Sequence, residues 1–374
     1  MSITATAKIA AGRVAGPAWA GACKWLEQRE SPAKLPHLTG LRVALVKQSV
    51  YTDLYYDPNA KTPLDLIGSS AHRSGPVALL TDFPSQFFIV ETEPDDECQV
   101  WQEKARSTHP EWDALTTAMD AVAVPAASVD WGQFDVVLAI ENAVPERITR
   151  DFPAVLWATM VEHHRMSVYK PYLRQPPSGY DCFLNQHFGP TPRSLRRRAH
   201  VVEFPYALNR AGSITDLFGD LPTQNWVVIE RNQIEGSLKD LQMPEGVDSK
   251  LCGDRTITDH LRMLVQSKIL FSPRAGRRLW GNAAAEAAAA DCVVVGNRHS
   301  YWNPCMIDPR LHCTTPPAGI KLVERLLADD DEYHDMLTAQ RARLDWYAFW
   351  RPLQQLNACI AQTPRPLSAQ RLCV

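Results

Sequence analysis

The chain has 374 residues, enough for about two domains of ordinary size. Apolar residues make up 45% of it and charged residues 22%, a balance that supports buried cores and excludes a wholly disordered chain. A net charge of −3 gives the chain no electrostatic preference for nucleic acid, so we expect no nucleic-acid partner.

Residues 1–38 are rich in alanine and glycine, and we expect them to form an N-terminal leader. Arg13 interrupts the apolar run that a secretory signal needs. The nine cysteines are odd in number and include no C-x-x-C pair, which favours reduced thiols over a disulfide framework. We therefore expect a cytoplasmic protein.

After the leader, short apolar runs alternate with helix-like segments. The strand-like runs of the first set are residues 41–46, 76–80, 86–92, 134–140, 153–160, 179–186 and 200–206. Apolar strands separated by helices are typical of a parallel sheet covered on both faces. The set predicts a Rossmann-like domain over residues 39–210.

A second set follows the loop at residues 209–224. Its strand-like runs are residues 225–230, 249–253, 268–273 and 292–296, and its helix-like segments are 257–266 and 281–290. This set predicts a second Rossmann-like α/β domain over residues 211–330, facing the first across a cleft. Residues 331–374 predict tail helices that pack back on the first domain, with a break or kink at Pro352.

Residues 272–296, "SPRAGRRLWGNAAAEAAAADCVVVG", read as the end of a strand, a turn, an alanine-rich helix and a strand. The free N–H groups and the positive dipole end of such a helix favour a phosphate group. Glycines let the backbone approach the ligand, and arginines add charge-assisted bonds. The residues expected at this diphosphate site are Arg274, Gly276, Arg277, Arg278, Gly281 and Asn282.

Glu286 lies one to two turns into this helix, where its carboxylate is placed to accept hydrogen bonds from ribose hydroxyls. The arrangement suits a nucleoside diphosphate. A surface turn with solvated arginines and a structural glutamate explains the same residues equally well, since a lone glycine turn is weak evidence.

A resemblance enters at this segment. "RLWGNAAAEAAAADCVVV" is similar to the donor-binding segment of glycosyltransferases of the GT-B type, among them family 1/4-like, fucosyltransferase-like and exostosin-like ones. "SKILFSPRAG", "VVEFPYALN", "FDVVLAIEN" and "VVIERN" resemble further segments of these enzymes. The chain departs from the family's E-x(7)-E pattern at Arg278, and it has Asp291 where glycine is usual. These departures leave the retaining mechanism unassigned.

The resemblance implies that the second domain holds a nucleotide-sugar donor and the first an acceptor. It adds Arg231 to the diphosphate-binding residues. A catalytic base is expected after the strands of the first domain, where the candidates are Glu141, Glu162 and His163. A capping or interdomain contact explains the histidine equally well.

Two charged runs receive structural interpretations. Residues 328–333, "ADDDEY", fit favourable negative charge at a helix N-terminus better than a metal motif. The run from Arg193 to Arg198 fits a solvated helix face, and a weak contact with the inner membrane face or a glycolipid is the alternative.

The resulting hypothesis is a metal-independent glycosyltransferase of surface polysaccharide biosynthesis. It needs no cofactor, since the nucleotide sugar is a substrate, and it transfers the sugar to a glycan or glycolipid. The alternatives are a catalytically degenerate nucleotide-sugar-binding protein of the same fold and a nucleotide-sugar epimerase.

Overall fold

The chain forms two compact units, each built on its own parallel sheet. The structure, a computed structural model, describes residues 42–48, 85–91, 123–140, 144–160, 179–185, 200–203, 210–219, 221–230, 241, 243–252, 257–272, 282–297 and 307–362. The first unit contains the described residues up to 203 together with residues 352–362. The second unit contains residues 210–351. This arrangement confirms the predicted class of two Rossmann-like α/β domains.

The first unit carries a parallel sheet of six strands in the order β2-β1-β3-β4-β5-β6. The strands are β1 Val43–Gln48, β2 Ser85–Val90, β3 Val136–Ile140, β4 Leu156–Met160, β5 Cys182–Asn185 and β6 His200–Glu203. A short helix, α1 Glu146–Thr149, follows β3. The predicted run at 76–80 lies outside the described residues.

Aromatic side chains fill one face of this sheet. Trp131 and Trp157 are fully buried and pack edge to face at 5.8 Å, and Phe88 lies 5.3 Å from Trp131. Trp131 donates its indole N–H to the Ala126 carbonyl at 2.8 Å, so its polar atom is satisfied inside the core.

The second unit carries a parallel sheet of five strands in the order β11-β10-β9-β7-β8. The strands are β7 Gln224–Glu230, β8 Asp248–Cys252, β9 Ser267–Ser272, β10 Val293–Asn297 and β11 His312–Cys313. Its helices are α2 Thr215–Phe218, α3 Ile257–Val265, α4 Asn282–Ala289, α5 Pro316–Ala328 and α6 Asp330–Leu344. The predicted helices at 257–266 and 281–290 are confirmed as α3 and α4.

Small residues let two helices lie close to this sheet. The described alanines of α4 from Ala284 to Ala289 are all buried. On α5, a Cβ at Gly319 would lie only 2.5 Å from the ring of Phe271 on β9. Alanine and glycine are therefore packing requirements at these positions.

The tail is divided between the two units, which corrects the prediction that all of 331–374 packs on the first domain. Helix α6 belongs to the second unit, because Gln340 bonds to the backbone of β10. From Pro352 onward the described chain belongs to the first unit. There the thiol of Cys359 hydrogen-bonds with that of Cys182 on β5.

The tail helix changes its hydrogen bonding before Pro352. Regular α-helix ends at Leu344, a π-helical turn spans Asp345–Trp350, and helix α7 spans Arg351–Gln362. The Arg351 N–H donates to the Trp346 carbonyl, five residues back. Pro352 lies in the first turn of α7, and the helix continues through it, so of the predicted break or kink the break does not occur. Among the described helices, none is long and apolar enough to cross a membrane.

Candidate functional site

The predicted strand and helix are present as β9 and α4, and the predicted turn between them, residues 273–281, lies outside the described residues. Strand β10 follows α4 and runs parallel to β9, with Val293 opposite Ile269. Helix α4 must therefore run back along the sheet, which places its N-terminus toward the carboxyl edge of both strands. Ligands of open α/β sheets bind at this edge.

Glu286 is the predicted site residue whose side chain the structure describes. It is 3% exposed, on a helix whose other described side chains belong to alanine. Its Oε2 lies 3.1 Å from Nε2 of His260 on α3. Its Oε1 is buried and has no hydrogen-bond partner among the described residues. Oε2 is thus hydrogen-bonded within the protein, and Oε1 can accept a hydrogen bond from a ligand.

Asp291 occupies the position where the resemblance predicts glycine. Its φ is 59°, in the left-handed region that favours glycine, so the chain keeps the backbone geometry without the residue. Oδ1 accepts from Nε of Arg341 at 2.7 Å, and Oδ2 accepts from Oγ1 of Thr215 at 3.0 Å. These bonds connect the end of α4 to α6 and α2.

The side chains of the other predicted donor-site residues lie outside the described residues. The structure describes the backbone of Asn282, as the first residue of α4, and its side chain lies outside the description. Arg231 comes directly after β7, which ends at Glu230. The remaining predicted residues of this site lie outside the described residues: Arg274, Gly276, Arg277, Arg278 and Gly281.

The candidate bases Glu141, Glu162 and His163 also lie outside the described residues. They follow β3 and β4, which are neighbouring parallel strands with Ile140 opposite Met160. Their catalytic role stays a prediction.

Tyr180 anchors the chain just beyond Glu141. Its hydroxyl donates to the Val144 carbonyl at 2.7 Å and accepts from the Val144 N–H at 3.1 Å. Two hydrogen bonds therefore hold the backbone of Val144, three residues after Glu141, against Tyr180, which lies just before β5.

His260 is the residue that the sequence analysis missed. It lies on α3, 26 positions from Glu286, and its side chain is 12% exposed. A single histidine on an amphipathic helix belongs to no motif, and no local signal connects it with a glutamate on the next helix. The packing of α3 against α4 brings the two side chains together.

The acidic run at 328–333 has the predicted helix-terminal role. Asp329 caps α6 by accepting from the Glu332 N–H at 2.9 Å, and Asp330 pairs with Lys268 at 3.0 Å. No cluster of three or more potential metal ligands occurs within the part of the chain that the structure describes. The run from Arg193 to Arg198 lies outside that part.

No protein-family model and no curated protein matches the chain. Among solved structures, it is similar to T4 phage β-glucosyltransferase in complex with UDP and Mn²⁺, at 9% identity and a TM-score of 0.44, over 86% of this chain and 99% of that one. It is similar to sucrose-phosphate synthase from Thermosynechococcus elongatus, at 14% identity and a TM-score of 0.44, over 85% of this chain and 98% of that one. It is also similar to S. aureus MnaA in a structure with UDP, at 11% identity and a TM-score of 0.38, over 87% of this chain and 99% of that one.

Similarity at this level does not define the chemistry of the chain. The fold itself is of the α/β type predicted from the sequence. It has two units with separate parallel sheets, and helix α7 belongs to the first unit.

Proposed function

We propose that this chain transfers a sugar from a nucleotide-sugar donor to a glycan or glycolipid acceptor. In this proposal the second unit binds the donor and the first unit binds the acceptor. The observation that carries it is the carboxylate of Glu286, which is buried on the helix after β9 and has one oxygen without a partner among the described residues.

An unsatisfied buried acceptor costs about 1–3 kcal/mol, and a ligand hydroxyl removes that cost. A ribose ring presents two neighbouring hydroxyl donors to a carboxylate that can only accept. Because the remaining side chains of α4 from Ala283 to Ala289 are methyl groups, they offer no competing donor. Glu286 therefore suits a ligand that carries its own hydroxyls.

The diphosphate of the donor is assigned to the N-terminus of α4. This helix is eight residues long. Its first N–H groups have no carbonyl partner within the helix, and the positive end of its dipole lies there, so both favour an anion. Arg231, Arg274 and Arg277 are proposed to neutralise the charge that develops on the leaving nucleoside diphosphate, with Arg278 as a weaker member. Gly276, Gly281 and Asn282 are proposed to line the turn. These charges act without a metal ion in the proposed reaction.

The acceptor side of the proposal rests on Glu141, Glu162 and His163. One of them is proposed to take the proton from the acceptor hydroxyl, and histidine has the unperturbed pKa nearest neutrality. A role in surface polysaccharide biosynthesis in the cytoplasm, with a weak membrane contact through Arg193 to Arg198, completes the proposal.

A second candidate function is nucleotide-sugar binding without turnover. It is favoured by Arg278, which stands where the resembled enzymes carry the first glutamate of their motif. A cation at that position adds affinity for a diphosphate but removes an acceptor for the sugar hydroxyls.

Calorimetric titration with UDP-, GDP-, ADP- and CDP-sugars, followed by an assay for the released nucleotide in the presence of glycan acceptors, tests both functions. Binding with acceptor-dependent release supports the transferase. Binding without release supports the binding protein. If none of the four classes binds, both proposals are wrong.

Glu286→Ala is expected to weaken donor binding about tenfold, because it removes the acceptor for ribose hydroxyls, an effect equivalent to ~1.4 kcal/mol. The measurement is the dissociation constant of the donor that binds the wild-type protein. Glu324→Ala, at an exposed residue of α5 in the same unit, is the matched control and should leave the constant unchanged. Equal affinity of Glu286→Ala and wild type would place the ribose elsewhere.

A further inference from the structure

The buried contact between His260 and Glu286 joins two neighbouring helices of the second unit. Nε2 of His260 lies 3.1 Å from Oε2 of Glu286, and the two side chains are 12% and 4% exposed. An ionised carboxylate has no hydrogen to donate. With Glu286 as the ionised carboxylate, His260 therefore donates from Nε2.

This contact uses one side of the carboxylate only. Oε1 of Glu286 is buried and has no hydrogen-bond partner among the described residues. A pair that served packing alone would satisfy both oxygens, because a buried unsatisfied acceptor is costly in a folded protein. The incomplete bonding of Glu286 points to a ligand, and the bond from His260 determines which oxygen remains for it.

A glutamate side chain has three rotatable torsions, and its carboxylate position is uncertain unless something holds it. Here α4 supplies alanines on either side of Glu286, which offer no hydrogen bond. Among the described residues, the bond from His260 is the side-chain hydrogen bond that fixes this carboxylate.

We propose that His260 is a positioning residue for donor recognition: it orients Glu286 so that Oε1 accepts from a ribose hydroxyl, and thereby sets a preference for ribonucleotides. This inference rests on the proposed function. His260 acts through Glu286 and does not touch the reacting atoms.

The test compares the affinity of nucleoside diphosphates with and without ribose hydroxyls. UDP, GDP, ADP and CDP are titrated into the full-length protein by calorimetry, and the tightest binder is compared with its 2′,3′-dideoxy counterpart. The wild-type protein should prefer the ribonucleotide about tenfold, as expected for one or two hydrogen bonds to a charged acceptor. The dideoxy probe keeps the base and diphosphate, so it reports the rest of the site.

His260→Phe should remove this preference and leave the affinity for the dideoxy probe unchanged. His260→Gln should restore most of the preference, because its amide N–H can reach the position of Nε2. Thermal melting checks that each variant is folded. His260→Asn, whose amide is too short to reach Glu286, replaces His260→Phe if that variant does not melt cooperatively.

The outcomes separate this inference from the proposed function. If the wild-type protein binds none of the four diphosphates, both are wrong. If it binds one with a ribose preference that Glu286→Gln abolishes and His260→Phe retains, the function stands and the positioning role is wrong. Equal binding of ribo and dideoxy probes by the wild type also overturns the positioning role, and leaves diphosphate binding intact.

Discussion

At the scale of single residues, Asp291 explains how a departure from a sequence pattern preserves a structure. A left-handed backbone costs a residue with a Cβ about 1–2 kcal/mol, and aspartate is among the residues that tolerate it best. The two side-chain bonds to Arg341 and Thr215 offset this cost. A missing glycine at this position therefore leaves the turn between α4 and β10 intact.

Asp291→Ala is expected to lower the free energy of unfolding by about 2–4 kcal/mol, through backbone strain and the loss of two hydrogen bonds. Asp291→Gly loses the same bonds without strain, and should lower it by about 1–2 kcal/mol. Urea denaturation measures both, with Glu324→Ala as the exposed control. Equal stability of the alanine and glycine variants would show that the left-handed conformation is not a constraint.

The two residues of the buried pair differ in how far sequence could predict them. The sequence singled out Glu286, because one carboxylate interrupts a run of alanines, and its role in ribose recognition stays a prediction. His260 was not singled out, because its role depends on the packing of α3 against α4. The positions of the arginines around residue 274 stay predictions, since spacing fixes their place in the chain and not the direction of their side chains.

At the scale of elements, α6 completes the hydrogen bonding of β10. Strand β11 has two residues and pairs only with Gly296 and Asn297, so it does not reach the first half of β10. Gln340, fully buried on α6, accepts from the Val294 N–H at 2.7 Å and donates to the Cys292 carbonyl at 2.9 Å. A side-chain amide replaces the missing strand there.

Gln340→Leu is expected to destabilise the protein by about 2–4 kcal/mol, because it leaves a buried N–H and a buried carbonyl unpaired while nearly conserving volume. Urea denaturation of the variant and wild type gives the difference. Gln340→Ala should cost more, since it adds a cavity. A change within about 0.5 kcal/mol for the leucine variant, the range of ordinary surface substitutions, would contradict this role.

The strands were the most predictable elements, because the predicted strand-like runs overlap β1 to β10 with ends close to the observed ones, and only the two-residue β11 was not predicted among the described strands. Helix α5 was not predicted, although Thr315 accepts from the Ala318 N–H as its cap and Pro316 begins it. A threonine cap followed by proline is a typical start of a helix, but two consecutive prolines in a sequence also indicate a loop. No sequence pattern in Asp345–Trp350 predicted the π-helical turn. Pro352 instead predicted a break or kink at its own position.

At the scale of the molecule, α7, the last helix among the described residues, covers part of the first unit. Leu353, Leu356 and Cys359 are buried on it. The hydrogen bond with Cys359, together with burial, raises the pKa of the Cys182 thiol well above its usual value. Both effects keep Cys182 protonated and inaccessible.

Ending the chain at Arg351 is therefore expected to increase the rate of Cys182 alkylation by iodoacetamide at pH 8 at least tenfold. The thiol loses its cover, and its pKa falls toward the ordinary value of ~8.5, so the reactive thiolate becomes more abundant. Mass spectrometry of the Cys182 peptide measures the rate. Cys292 is the internal control, because it is buried in the second unit and burial raises its pKa too.

Two results would contradict this expectation. Unchanged protection of Cys182 would show that α7 does not cover it. Faster labelling of both cysteines would show that removal of α7 unfolds the second unit as well.

Alternation of apolar runs with helical segments was sufficient to predict two units with parallel sheets. The division of the tail was not predictable, because nothing in residues 331–362 distinguishes a helix that packs on the second sheet from one that returns to the first. Gln340 on α6 and Cys359 on α7 make that distinction only through partners far away in sequence.

The return of α7 to the first unit also determines when each half can finish folding during synthesis on the ribosome. Nascent domains ordinarily complete in order from the N-terminus. Here the described residues 210–351 of the second unit are contiguous, whereas the first unit lacks its last helix until residues 352–362 have been translated. The half that emerges first is thus completed last, and its sheet keeps the Cys182 surface uncovered until residues 352–362 have been made.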